Sequence, residues 1–450
     1  MRNTVIEIAD TTRFPRSTLD DGTWYTKSSS SWTSGFFPGC LWYLYQYTSD
    51  SLWIDWARAW TAGLQAEQYD TGTHDVGFKI FCSYGNGYRL TGDEEYKEVI
   101  LQAAQSLATR YNPTVGCIRS WNNRTFPVII DNMMNLELLF WAAKNGGESD
   151  WHDMAVSHSL RTRENHVRDD GSTYQIVDYD PTTGGIIQKE TSQGFNVEST
   201  WARGQSWGLY GFAMAYRETG DVRFLETAQK LADYVADNLP ADFVPYWDYD
   251  APDIPNDEKD ASAAAIAASG LLELSTLVSC DCLKAKYRNT AANILASLAS
   301  KSYLAEDYNS CGILLHGVGN HNSNSEVDVS LIYADYYFIE ALLRYQANTT
   351  PALVYDLSDE AIPAALVLLQ NYPNPFNPVT TVPYQLPTPS TVTFRLYDMK
   401  GRLVQAFEGG FKVQGHYQFQ FNGNRLSSGT YLFVIQAGSQ SESIKVTLIK

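Results

Sequence analysis

Residues 199–221 read STWARGQSWGLYGFAMAYRETGD. From Gln205 to Arg217 nearly every position is apolar, aromatic or small, so a helix built from them is buried on all sides. Yet the seven residues Trp201–Trp207 hold two tryptophans, an arginine and a glutamine. A buried helix that opens on so many hydrogen-bonding and aromatic groups suggests a scaffold whose N-terminus faces a pocket.

The surrounding sequence repeats this theme from about 36 to 346. One kind of stretch is amphipathic. Residues 93–110 place Tyr96, Val99, Ile100, Ala103 and Leu107 on one stripe, and 221–239 do the same with Phe224, Leu225, Ala228, Leu231, Ala232 and Val235. The other kind is apolar or small on every side: 131–143, 205–217, 261–278 and 328–344. The joints look alike, with YTSD ending at Asp50, LTGD at Asp93, ETGD at Asp221, GGESD near 150 and SCD near 281. Each reads as a helix C-cap followed by an Asp N-cap.

Eleven helices are expected: 36–48, 51–68, 76–90, 93–110, 131–144, 150–167, 203–218, 221–239, 261–278, 282–301 and 328–345. Alternation of buried and amphipathic helices predicts an all-α double-layered (α/α)6 toroid, inner helices ringed by outer ones. A twelfth helix would precede residue 36, where only a stub remains. The N-terminus also lacks an apolar signal-peptide core, so the first helix and a signal peptide are expected to be missing from the sequence.

After 346 the composition changes. NYPNPFNP (371–378) holds too many prolines for a helix, and the strands TVTFRLYD, YQFQF, TYLFVIQAG and SIKVTLIK follow. The expected division is a helical domain over 1–348, a linker over 349–368 and a small immunoglobulin-like β-sandwich over 369–450.

The chain has 450 residues, 44% hydrophobic and 13% aromatic, ample for one large core and a smaller module. Its net charge of −18 argues against nucleic acid or anionic membranes as partners. No apolar run is long enough to span a membrane. The six cysteines, at 40, 82, 117, 280, 282 and 311, form no CxxC pair, so buried thiols or one disulfide are expected rather than a metal site. No cofactor is implied.

The inner helices of a toroid run parallel, so their N-termini meet at one mouth. Trp32 precedes the first; His74 and Asp75 precede the second; Asp131 opens the third; Trp201, Arg203, Gln205 and Trp207 open the fourth; Asp260 and Ser262 open the fifth, and Asp328 the sixth. Asp260 and Asp328 fit ordinary N-caps. Paired carboxylates suit acid–base chemistry on a sugar, and Asp75 and Asp131 form the candidate pair. Asp131 follows the apolar run PVII, which favours a raised pKa and an acid's role.

At these residues the chain resembles the unsaturated glucuronyl hydrolases, a glycoside hydrolase family with an (α/α)6 barrel. The resemblance rests on SWTSGFFPG, HDVGF, DNMMNLELLFWA, DGSTY, STWARGQSWGLYGFAMAYRETGD, VPYWDYDAPDIP, DASAAAIAASGLLEL and DVSLIYADYYFIEALLRY, spread over about 30–346. It implies an exolytic enzyme acting on lyase-generated oligosaccharides that carry a 4,5-unsaturated uronic acid at the non-reducing end. An aspartic acid protonates carbon 4, and water adds at carbon 5. By motif position Asp131 is that acid and base and Asp75 the second carboxylate. Trp32, His74, Gln193, Trp201, Arg203 and Trp207 line the subsite. Where the family often has a sugar-binding His after DGSTY, this chain has Gln175, which bears on substrate preference; His158 is expected on an outer-helix surface.

The tail resembles the C-terminal sorting domain of type IX secretion, through NYPNPFNP, YDMKG, SSGTY and the last strand. That implies the secretion machinery as partner, and the cell surface or medium as destination. Acidity, export and altered sugar contacts point to a sulfated glycan such as ulvan, with glycosaminoglycan, gellan and xanthan fragments open. The competing classes are a non-catalytic carbohydrate-binding toroid in which both aspartates only cap helices, a lyase or epimerase, and the related unsaturated rhamnogalacturonyl hydrolases, which carry another motif in place of WARGQSW.

Overall fold

The computed structural model describes residues 1–307, 310–349, 365–371, 374–412, 414–424 and 426–449. The chain divides into two compact units, Met1–Pro351 and Ala352–Lys450.

The first unit is helical. In chain order it comprises α1 (Arg2–Ile8), α2 (Phe36–Thr48), α3 (Ser51–Ala62), a π-helical segment Gly77–Gly85 that runs into α4 (Asn86–Thr91), α5 (Glu94–Ala108), α6 (Asn132–Lys144), α7 (Asp150–Asn165), α8 (Ala202–Thr219), α9 (Val222–Asn238), α10 (Ala261–Leu277), α11 (Asp281–Leu298) and α12 (Ile332–Thr349). Six inner elements close a ring by successive packing: α2 on the π segment, then α6, α8, α10, α12 and back to α2. This is the expected (α/α)6 toroid.

Sequence chemistry explains the layers. Every residue from Ala202 to Ala215 in α8 and from Ala261 to Ser275 in α10 is buried. The outer α9 buries only the stripe Phe224, Thr227, Ala228, Leu231, Ala232 and Val235. Inner helices approach closely where side chains are absent: a Cβ on Gly211 of α8 would lie 2.4 Å from the Met133 Cβ of α6.

Asp50, Asp93 and Asp221 cap α3, α5 and α9 through the N–H groups of Leu52, Glu95 and Arg223. At the other two joints the cap position belongs to Ser149 and Cys280. Asp150 and Asp281 instead stand in the first turn, where a negative charge still favours the helix dipole. Cys280 and Cys282 form a disulfide; Cys40 and Cys117 are buried thiols, and Cys82 and Cys311 are partly exposed.

Three expectations change. The helix expected over 51–68 stops at Ala62, and a 3-10 turn Gln65–Tyr69 follows. The stub before residue 36 contains the seven-residue α1, whose Thr4 hydroxyl donates to the Cys311 carbonyl and accepts from Trp24 Nε1. The last inner helix begins at Ile332, not Asp328. Asp328 has a positive φ of 56° in an extended approach held by the Gly317–Val329 and Ser17–Leu331 bridges, and its carboxylate meets His316.

The second unit is antiparallel β. One sheet has the spatial order Leu403–Lys412, Ser390–Asp398, Gly429–Ala437, Gln440–Leu448; the other has Gly415–Asn422, Val379–Leu386, Val367–Leu368. They share a core that includes Val382, Tyr384, Phe394, Leu396, Phe433, Ile435 and Val446. Two strands had no clear sequence signal. Val379–Leu386 contains Pro383, which cannot donate to a ladder, and Leu403–Lys412 contains Gly409 and Gly410 beside a register shift at Val392/Thr393. Of the expected linker 349–368, residues 350–364 lie outside the described residues, and Val367–Leu368 already pairs with Val379–Leu386. No helix among the described residues is long and apolar enough to cross a membrane.

Candidate active site

The N-termini of the inner helices surround a cavity of about 100 Å³ lined by Trp32, His74, Asp75, Asp131, Gln193 and Arg203, together with Phe78, Trp121 and Ile129. Six of the nine candidate residues read from sequence thus meet in one place, brought from five separated parts of the chain.

Asp131 stands at the N-cap position of α6 but has helical dihedrals, and its side chain makes no capping bond. Its Oδ1 is buried without a hydrogen-bond partner. An acid left in this state resists ionisation. Burial raises its pKa to about 7, against the opposing pull of Arg203, while Asp75 adds a small upward push. Ordinary capping would have lowered it, as in a carboxylate that accepts backbone N–H bonds. The strand Pro127–Ile129 delivers Asp131 to this position, paired with Ile176–Tyr179.

Asp75 lies just before the π segment, where its carbonyl accepts from Lys79 N at 3.0 Å. Its Oδ2 accepts from the Thr73 hydroxyl at 3.0 Å, and its Oδ1 is 3.2 Å from His74 Nε2. His74 Nδ1 is 3.0 Å from the Ser120 carbonyl, an acceptor only, so Nδ1 carries a proton. Its Nε2 is buried without a hydrogen-bond partner, although Asp75 Oδ1 lies nearby. Burial lowers the His74 pKa, partly offset by Asp75. Beneath them the fully buried Lys79 ammonium bridges Glu67 at 2.7 Å and Asp70 at 2.6 Å, anchoring the segment. Phe78 N donates to Asn135 Oδ1 at 2.8 Å, and a Cβ on Gly77 would lie 2.7 Å from Asn135, so the segment must sit tight on α6.

Arg203 is buried and already engaged. It pairs with Asp260 at 2.9 Å, bonds the Val318 carbonyl, and donates to the Gly319 carbonyl at 2.5 Å. Its guanidinium lies 4.6 Å from the Trp201 ring centroid. Asp260 meanwhile caps α10 through Ser262 N. Arg203 therefore clamps the 318–319 loop and presents charge to the cavity, rather than a free bidentate fork.

The remaining candidates stand one layer back. Gln175 Nε2 donates to Gln193 Oε1 at 2.8 Å, and its Oε1 accepts from Thr191, Ser192 N and Gln193 N, so it shapes the turn that presents Gln193. Trp207 is fully buried, its ring 5.2 Å from Phe78, and lies a helical turn deeper than Arg203. Trp201 packs under Arg203. Gln205 ties the Gly171 carbonyl at 2.8 Å. The WARGQSW stretch is thus mostly scaffold, with Arg203 alone reaching the cavity. His158 is buried, not on the surface; its Nδ1 accepts from Ile118 N, and burial lowers its pKa to about 3.

Sequence reading missed Phe78, Trp121 and Ile129. Trp121 comes from the aperiodic loop RSWNNR, whose only signal is an aromatic amid amides. It also lines an open cleft of about 660 Å³ with Thr73, Asn122, Asn123, Arg124 and Ser192. Arg124 pairs with Glu190. Among the described residues, Asp257, Glu258 and His321 form the one group whose atoms could share a cation; none lines the cavity, and both Asp257 oxygens already accept from Trp247 Nε1 and Asp253 N.

Comparison with known proteins bears on this geometry. Residues 7–343 match the model of Glycosyl Hydrolase Family 88, and residues 370–450 match that of the secretion system C-terminal sorting domain. An unsaturated glucuronyl hydrolase of Formosa agariphila is 44% identical over 342 residues, covering 74% of this chain and 84% of that protein. A solved unsaturated glucuronyl hydrolase specific for heparin is 44% identical at a TM-score of 0.73, covering 77% of this chain and 96% of its own. A UGL variant solved with dGlcA-Glc-Rha-Glc is 30% identical at a TM-score of 0.72, covering 78% and 97%.

Proposed function

The chain belongs to Glycosyl Hydrolase Family 88 and is an unsaturated glucuronyl hydrolase acting on oligosaccharides, and from that premise we propose that Asp131 is its acid and base, with Asp75 as the second carboxylate. The observation that carries this is the Asp131 carboxyl: buried, uncapped and held near neutrality at the cavity wall. Such a group is protonated at the start of a turnover and can donate at neutral pH.

The steps follow from that state. The Asp131 proton goes to carbon 4 of the C4=C5 bond. Positive charge develops at carbon 5, shared with the ring oxygen. The ionised Asp131 then takes a proton from water as the water oxygen bonds carbon 5. The hemiketal so formed opens by breaking the bond between carbon 5 and the ring oxygen, and the exposed hemiacetal at carbon 1 releases the saccharide. Asp75 Oδ1 and the unpartnered His74 Nε2 stand side by side as acceptors that orient the water and a sugar hydroxyl. Arg203 favours the uronate carboxylate by its charge, since its terminal nitrogens already donate to protein. Trp32 and Trp121 supply faces for the ring, and Gln193, positioned by Gln175, contacts its hydroxyls. The cleft beside Trp121 takes the departing saccharide.

For the parent polymer the proposal is ulvan fragments, on the strength of Gln175 in place of the family's sugar-binding His and of the export that the sorting domain implies. Heparin fragments are the second reading, favoured by the 44% identical relative specific for heparin. Initial rates on lyase digests of ulvan, heparin, chondroitin and gellan decide between them; ulvan fragments turned over less efficiently than heparin fragments would overturn the first choice. The C-terminal module addresses the chain to the type IX secretion machinery and so to the cell surface or medium. Asp131→Asn separates a hydrolase from a mere sugar-binding toroid: substrate binding persists while turnover is lost.

A further inference from the structure

The ring has a second mouth, where the inner helices end. A cavity of about 580 Å³ opens there, lined by the π-helical segment and by residues of α2, α4, α6, α8 and α12, and it runs from the helix ends inward past Met134 and Tyr337. It is separate from the catalytic cavity; Phe78 alone lines both. We propose that this second cavity binds a neutral saccharide.

Three features of the lining support that ligand class. The first is aromatic surface: Phe81, Tyr88 and Trp141 are partly open to the cavity, and Tyr88 meets Trp141 edge-on at 5.3 Å. Faces and edges of this kind pack against sugar C–H groups. The second is a dense set of planar polar groups. Arg89 donates to Gln46 Oε1 at 2.8 Å and Asn86 Oδ1 at 2.9 Å at the rim. Deeper, Tyr43 donates to Glu340 at 2.6 Å, and Arg344 donates to the Tyr210 hydroxyl at 2.7 Å. The rim amide oxygens of Gln46 and Asn86 have lone pairs beyond these bonds, and vicinal hydroxyls can use them, whereas Glu340 is already taken by Tyr43, Tyr210 and Ser269.

The third feature is charge, which selects neutral over acidic ligands. Arg217 is held by Glu137, Glu218 and Glu273, and Arg344 by Glu273 and Glu340. Little positive charge is left for a uronate or sulfate. Burial raises the Glu137 pKa against the pull of Arg217, and Glu273, Glu218 and Glu340 add smaller upward pushes. The inner-helix C-termini add the negative ends of their dipoles. The two mouths are thus electrically opposite: the N-terminal mouth favours the uronate, and the C-terminal mouth favours an uncharged polyol.

The test uses the full chain carrying Asp131→Asn, titrated by calorimetry with rhamnose, xylose, cellobiose, maltose and N-acetylglucosamine. Saturable binding of at least one of these is expected. Adding Trp141→Ala or Arg89→Ala should weaken it about tenfold. In the wild-type background the same two substitutions should leave turnover of the unsaturated substrate within about twofold, because neither residue lines the catalytic cavity. Arg89 is exposed at the rim, so its variant serves if Trp141→Ala does not fold. Absence of saturable binding by all five sugars, or binding indifferent to both substitutions, overturns the proposal.

Discussion

Replacing Asp131 by Asn should stabilise the protein, and the gain should depend on pH in a defined way. The folded-state pKa is raised from 3.8 to about 7, mainly by burial. A carboxyl raised in the folded state binds a proton there that the unfolded chain has already lost. The wild type is therefore unpenalised below pH 3.8, loses stability as pH rises from 3.8 to about 7, and stays at the lower level above that. The full shift corresponds to at most about 4 kcal/mol, and the portion accrued by pH 5 to about 1.5 kcal/mol. Asn keeps the shape and removes the ionisation, so the gain over wild type should be near zero at pH 3.5–4, small at pH 5 and largest at pH 8. Urea unfolding followed by tryptophan fluorescence is the assay. All 12 tryptophans lie between Trp24 and Trp247, so the signal reports the helical unit alone. A difference that is flat with pH, or a variant less stable than wild type at pH 8, would refute the claim that Asp131 is a buried acid held neutral.

Other outcomes follow from the same structure. The kcat/KM of the wild type should fall about tenfold per pH unit above about pH 7, as Asp131 loses its proton in the free enzyme; a pH–rate profile checks this. Lys79→Met should cost about 3–5 kcal/mol, because Glu67 and Asp70 are left facing each other without their buried cation. Adding Glu67→Gln and Asp70→Asn should recover much of that loss in the same unfolding assay. Arg203→Lys should lower kcat/KM roughly a hundredfold while the chain stays folded, since one ammonium cannot hold Asp260 and the Val318 and Gly319 carbonyls together, and the site wall shifts; steady-state kinetics with a thermal melt measures both.

The toroid was legible because burial leaves a periodic trace. All-round apolar stretches such as 261–278 became inner helices, and the stripe Phe224–Val235 became an outer one. The β unit was readable only in part, because Pro383 and the Gly409–Gly410 pair interrupt the alternation that marks strands. Within the site, helix starts located Asp75, Asp131 and Arg203, but sequence does not show depth. Trp207 follows Arg203 by four residues on the same helix face, and a rise of about 6 Å places it under Phe78 rather than in the cavity. Nor does sequence show which of two aspartates at helix starts is a cap: Asp260 accepts from Ser262 N, whereas Asp131 accepts from no N–H in its helix. Trp121 escaped because a loop has no period to place it.

The claim on which the mechanism rests is that the Asp131 carboxyl delivers the proton to carbon 4. Its most direct test is the ultraviolet absorbance of a 4,5-unsaturated disaccharide mixed with stoichiometric enzyme at pH 6, wild type against Asp131→Asn. The wild type should bleach the double bond within one turnover. The substituted chain should bind the sugar yet bleach it at least about a thousandfold more slowly. Bleaching by Asp131→Asn within tenfold of wild type would assign the proton to another group and contradict the mechanism.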